Sequence, residues 1–199
     1  MTLREEVEHL LPGWKSWYPS LFDAASDLGL IRARVPDVQF TVACAPNLEE
    51  RQFAPLMAGE ARHRPVLVHG RSDDVIASSD VAITASGTAT VQCALHERPM
   101  VVVYRLSPLT YRLGKPFVNV DTYAMPNLVA GRRIVPELIQ DECTPQRVAD
   151  ETIALLTDRA LHARTREALR GVREQLGAPG ASGRAAEAIL EIASGAKPA

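Results

Sequence analysis

Four short apolar runs rich in β-branched residues constrain this chain most. They are "VQFTVACA" (Val38–Ala45), Val66–His69 within "RPVLVHG", Val81–Thr84 within "DVAITAS", and Met100–Tyr104, "MVVVY". A strand with one wet face alternates apolar and polar residues, and none of these does so cleanly. Unbroken apolar strands require a sheet covered on both faces. Helix-like stretches lie between the runs. Asn47 precedes "LEERQFAPLMAGEA", which Pro55 bends or shortens. Ser72 precedes "DDVIASS", with Asp73 and Asp74 in the first turn, where the helix dipole favours negative charge. Thr88–Glu97 reads helically and ends before Pro99. This alternation predicts βαβ units: a Rossmann-like α/β domain, its parallel sheet flanked by helices on both faces.

Beyond Tyr123 the pattern turns helical. Thr144-Pro145 reads as an N-cap followed by proline at the first helical position. "RALHARTREALRGVREQL" is a basic amphipathic helix, "GAPGASG" a flexible break, and "RAAEAILEIASG" a last helix. Three parts follow: an aromatic and helical segment over 1–30, the Rossmann-like domain over 31–157, and C-terminal helices with a tail over 158–199. In the first part, "GWKSWYPSLFDAASDLG" carries Trp14, Trp17, Tyr18 and Phe22. Such aromatics suit either a cap packed on the domain core or a lipid-facing patch.

A formal net charge of -2 argues against broad nucleic-acid binding, which calls for a basic surface. Cys44, Cys93 and Cys143 are odd in number and far apart, which fits buried thiols in a reducing cytosol better than a disulfide framework or a zinc site. No apolar stretch nears ~20 residues, and "MTLREEVEHLL" is charged from the start, unlike a secretory signal. The expectation is a cytoplasmic protein.

Two polar knots can carry chemistry. Ser86-Gly87-Thr88 stands between an apolar strand and an apolar helix, where ligands of open parallel sheets bind. Gly87 permits a tight turn and a close ligand approach. The amides of Thr88 to Thr90 open a helix N-terminus suited to a phosphate. The alternative is that Ser86 merely caps the helix. The second knot, "DTYAMPNLVAGRRIVPELIQ", gathers Asn127, Gly131, Arg132, Arg133, Glu137 and Gln140. Asn127 suits selective hydrogen bonding or a plain turn, and Glu137 suits a ligand or a helix-start charge.

"ASGTATVQCAL", then "PMVVVYRLSPLTYRLGK", then "MPNLVAGRRIVPELIQDECTPQRVA" resemble the C-terminal half of lipid-A-disaccharide synthases over about Ile31–Ala154. The resemblance implies one half of a GT-B glycosyltransferase, using a UDP-2,3-diacylglucosamine donor and a 2,3-diacylglucosamine 1-phosphate acceptor. It implies no cofactor and no metal. Ser86, Gly87 and Thr88 correspond to a donor-phosphate loop. Gln92, Asn127, Gly131, Arg132, Glu137 and Gln140 correspond to donor-nucleotide positions, and Tyr104-Arg105 matches the Y-R closing the next strand.

Two departures stand out. Gln92 occupies a position where the family usually carries glutamate, which implies weaker donor binding. The family's N-terminal acceptor domain and its general base have no counterpart in this sequence. "LREEVEHLLP" resembles the helix after the family's P-G-S-R loop, or else "LLPGWK" is that loop in degraded form. His69 and Asp80 read as strand-end and cap residues, so no catalytic base is named.

Three readings result: the donor-binding part of a synthase working with a separate N-terminal acceptor domain, a non-catalytic nucleotide-binding module, or an oligomerisation module. The family resembles dimers with exchanged C-terminal helices, and Arg159–Ile192 with its Gly177–Gly183 hinge is compatible with a homodimer. Acylated substrates imply peripheral contact with the inner membrane, for which "YRLSPLTYRLGKPF" offers mixed basic and apolar residues.

Overall fold

The computed structural model describes residues 28–45, 48, 50–54, 56–57, 64–105, 122–178 and 180–193. The tryptophan-rich head within 1–27, and all but the first two residues of the mixed basic and apolar stretch considered for membrane contact, lie outside the described residues.

Five strands form. They are β1 (Thr41–Cys44), β2 (Val66–His69), β3 (Ala82–Ala85), β4 (Met100–Tyr104) and β5 (Glu137–Ile139). Every pairing is parallel. β1 pairs with β2 from Thr41↔Val66 to Cys44↔His69. β4 lies centrally, pairing with β3 from Ala82↔Met100 to Ala85↔Val103 and with β5 from Val102↔Glu137 to Tyr104↔Ile139. The described ladders therefore make a two-stranded and a three-stranded parallel sheet. Parallel pairing sends the carboxyl ends of β3, β4 and β5 to one shared edge.

The helices are α1 (described over 28–34), α2 (Ser72–Ser78), α3 (Thr88–Leu95), α4 (Met125–Ala130), α5 (Pro145–Thr157), α6 (Arg159–Leu176) and α7 (Ala181–Ala193). β4 shows why "MVVVY" carries no polar residue before its last position. Successive side chains point to opposite faces. Met100 and Val102 enter a cluster with Cys93 and Ala94 of α3 and Leu169 and Val172 of α6. Val101 and Val103 enter a second cluster with Leu138 of β5 and Val148 and Leu155 of α5. Each fully buried side chain of this size contributes about 1.5–3 kcal/mol, so both faces of β4 stabilise the domain. The β1–β2 pair is covered less evenly. Cys44 packs with Phe53 and Leu56, whereas Val66 is 62% exposed.

Some boundaries differ from the expectations. Glu50–Phe53 closes as a 3-10 turn rather than a long helix. Ser72 is the first residue of α2, not its cap, and Arg71 stands at the cap without a side-chain bond. Glu137 opens a strand rather than a helix, because Pro136 and the αL turn at Gly131 redirect the chain into the sheet. Thr144 does cap α5, accepting from the Arg147 amide at 3.3 Å, with Pro145 next.

Helix ends are tied by charge. Glu97 sits just past α3 at a left-handed φ of 53°, and its carboxylate faces Arg166, Arg170 and Arg173 of α6 at 4.0, 3.5 and 3.1 Å. The Arg98 guanidinium donates to the Ala77 carbonyl at 2.7 Å, joining this corner to α2. Arg34 of α1 pairs with Asp150 of α5.

Candidate functional site

The Ser-Gly-Thr loop lies at the carboxyl end of β3. The Ser86 amide donates to the Val103 carbonyl at 3.1 Å, which carries the ladder one residue past the strand. Gly87 then adopts φ 149° and ψ −159°, a conformation essentially restricted to glycine. It is the N-cap of α3 and brings no capping side chain. Its carbonyl accepts from the Thr90 amide at 3.0 Å and from the buried Thr90 hydroxyl at 2.7 Å. The Thr90 amide is thus occupied, and the anion-facing set narrows to Thr88 and Ala89. Both are exposed, and their amides have no partner among the described residues. Unpaired amides at a helix start are favourable neighbours for an anion.

Ser86 does not cap α3. Its hydroxyl donates instead to the carbonyl of Tyr123, 37 positions along the chain, at 3.2 Å. The Tyr123 amide donates to Glu137 Oε2 at 2.8 Å, and the Ala124 amide to Glu137 Oε1 at 3.0 Å. Asn127 Nδ2 donates to the same Oε1 at 2.6 Å and to the Val135 carbonyl at 3.0 Å. Asn127 Oδ1 accepts from the amides of Ile134 and Val135 at 2.7 and 3.0 Å. Asn127 and Glu137 are 1% and 4% exposed. The two knots seen separately in the sequence are therefore one network.

Two of the implied contacts face the domain interior in this geometry. All four hydrogen-bonding positions of Asn127 are filled from within the domain, so in this conformation it offers a ligand no polar atom. Glu137 faces inward and receives the start of α4, which has alanine at its N-cap. Tyr123 joins the two knots through its main chain, a role that no side-chain pattern could announce.

The remaining positions divide into two places. Gln92 is half-buried on α3, one turn beyond Thr88. Tyr104, Arg105 and Gln140 lie at the carboxyl ends of β4 and β5; Arg105 donates to the Cys143 carbonyl, and Gln140 takes a left-handed φ of 52°. Gly131 ends α4 at φ 63°, the residue type this αL cap favours. Arg132 and Arg133 follow it and open onto a groove of about 620 Å³ whose other wall is α6, with Arg164, Thr165 and Gln175. No residue of the Ser-Gly-Thr loop lines that groove. Asp80 lies before β3, at the edge away from the loop, and its carbonyl meets His162 at 3.3 Å. Among the described residues no group of three His, Cys, Asp or Glu side chains is placed to hold a metal.

Fold and loop define the class: a Rossmann-like α/β domain that presents helix-start amides at the carboxyl edge of a parallel sheet. The sequence profile described as Lipid-A-disaccharide synthetase matches residues 16–192. The lipid-A-disaccharide synthase of Anaeromyxobacter dehalogenans (strain 2CP-C) is 43% identical over 178 residues, covering 89% of this chain and 46% of the relative. That of Geobacter sulfurreducens is 41% identical over 175 residues, covering 88% and 44%. That of Klebsiella pneumoniae is 37% identical over 187 residues, covering 92% and 49%. The chain belongs to the lipid-A-disaccharide synthase family. It spans about half the length of these relatives.

Proposed function

We propose that this chain is the donor-binding part of a lipid A glycosyltransferase. It holds UDP-2,3-diacylglucosamine for transfer of the sugar to 2,3-diacylglucosamine 1-phosphate. The observation that carries this reading is the pair of unpartnered amides at Thr88 and Ala89, behind a glycine-only turn, in a chain of this family. The donor's pyrophosphate sits against those amides and the Thr88 hydroxyl. As the sugar bond breaks, charge accumulates on the departing UDP, and fixed N–H donors stabilise it without reorganising. Gln92 reaches the ribose with a neutral amide.

UDP should raise the melting temperature in a concentration-dependent way, because a ligand that binds only the native state stabilises it. Uridine should do so far less, lacking the pyrophosphate. Equal shifts with UDP and uridine, or none with either, would overturn the reading.

A second reading, a nucleotide-binding module without transfer, is favoured by Gln92 in place of the family's usual glutamate. A separately supplied acceptor domain from a relative distinguishes the two, since only the first reading recovers disaccharide formation. We also propose a contact between two copies at α7, where Ile189, Leu190 and Ile192 are 65–69% exposed. Light scattering before and after removal of residues 180–199 tests it.

A further inference from the structure

We propose that Glu137 and Ser86 are positioning residues, which set the direction of the Thr88 and Ala89 amides through the main chain of Tyr123 and touch no ligand themselves. The ligand arm of this inference rests on the donor reading above; its structural arm does not.

Glu137 is an acid buried in the sheet. Glu137 is 4% exposed on β5 and accepts from the Tyr123 and Ala124 amides and from Asn127 Nδ2. An acid in such a place is costly unless its oxygens are filled, and here three N–H donors fill them. If the only task were to start α4, a cap on the donor side of residues 123 and 124 would suffice. Tyr123 is also held from its other side, by the Ser86 hydroxyl on its carbonyl. One peptide segment is therefore gripped at its N–H by β5 and at its C=O by the loop after β3.

Ser86 is next to Gly87, whose backbone freedom is greater than that of any other residue type. The neighbouring cap has no side chain of its own, and its local hold is Thr90, whose amide and hydroxyl donate to the Gly87 carbonyl. Thr90 holds the loop from the helix side, and the Ser86–Tyr123–Glu137 chain holds it from the strand side. Asn127 completes the frame by tying Glu137 to the Ile134–Val135 backbone. The hydroxyl left to meet a phosphate is that of Thr88, which is exposed and has no partner among the described residues.

The test uses the full chain, with a crossed spectroscopic readout and UDP as the probe. In amide 1H–15N spectra without ligand, Glu137→Gln should move the Gly87, Thr88 and Ala89 signals, which belong to a segment remote in sequence. Ser86→Ala should move the Tyr123 and Ala124 signals and the Asn127 side-chain amide. Each variant should weaken UDP about ten-fold, the scale expected for losing one hydrogen bond to a charged or buried group. Ser86→Thr keeps the hydroxyl and should restore affinity. Leu155→Val, in the opposite core cluster, lowers stability and should leave UDP affinity unchanged, which separates positioning from mere destabilisation.

If Glu137→Gln weakens UDP while the loop signals stay in place, Glu137 is a direct contact and the proposal falls. Crossed signals that do not move in either variant overturn it as well. A wild-type chain that binds no UDP removes the donor reading, and the crossed signals then decide positioning alone. Should Glu137→Gln fail to fold, Ser86→Ala and its Thr rescue carry the same decision.

Discussion

Gly87 shows what one residue type makes available at this site. Its φ of 149° with ψ near −159° is open to almost no L-residue, and a Cβ built there meets nothing within 4 Å. Gly87→Ala should therefore act through backbone strain rather than a clash, costing about 1–3 kcal/mol by urea unfolding. Unchanged stability would mean that the turn relaxes freely. Asn127 is the counterpart inside. Asn127→Ala strands the Ile134 and Val135 amides and the Val135 carbonyl, removes one of the two donors on Glu137 Oε1, and should cost about 2–4 kcal/mol in the same measurement. The cysteines differ by environment. Burial pushes the Cys93 thiol up to about 11, outweighing its backbone hydrogen bond. Native chain treated with iodoacetamide near pH 8 should be labelled at half-buried Cys143 before Cys93 or Cys44, since the thiolate is the reactive form. Residue types were legible here: the S-G-T turn and the polar second knot both stand out in the sequence. Direction was not, because an Asn or a Glu reads the same whether it faces a ligand or the core.

Elements were read best where one local rule decided them. Thr144-Pro145 starts α5 as expected, and the amphipathic run from Arg159 to Leu176 forms α6 with its apolar stripe inward. Glu137–Ile139 went unread as a strand because three residues are too few for periodicity and its partner β4 is remote in sequence. α6 belongs to the core: Leu169 is 0% exposed and packs beneath α3 and β4. Leu169→Ala should cost about 2–5 kcal/mol; a loss below about 1 kcal/mol would mean that α6 is only appended to the sheet. The α1–α5 contact makes a pH prediction. The Arg34 hydrogen bond is the main cause holding Asp150 below its ordinary 3.8; desolvation opposes it, and Gln146 and Arg147 add smaller lowering contributions. A depressed folded-state value gives stability that is complete above the ordinary value and lost as the pH falls through the lowered one. The pair is largely exposed, so the effect is small. Asp150→Asn should flatten the acid limb of stability against pH below about 4, and an unaltered limb would contradict the pairing.

At the scale of the molecule, parallel α/β architecture was legible because buried strands need apolar residues throughout, and "MVVVY" shows it most plainly. The join between the two knots was not legible, since it runs through the main chain of Tyr123. The partition of the implied donor contacts was also hidden: Arg132 lines the groove against α6, while Gly87 and Thr88 stand exposed at the sheet edge. The proposed function requires that edge to hold a pyrophosphate. Titration calorimetry of UDP into the full chain, with Thr88→Val and Gly87→Ala beside it, tests this most directly. Saturable binding by the wild type, weakened about ten-fold or more in both variants, is the predicted result. A folded wild-type chain that takes up no UDP, or variants that bind it as tightly, would contradict the central claim.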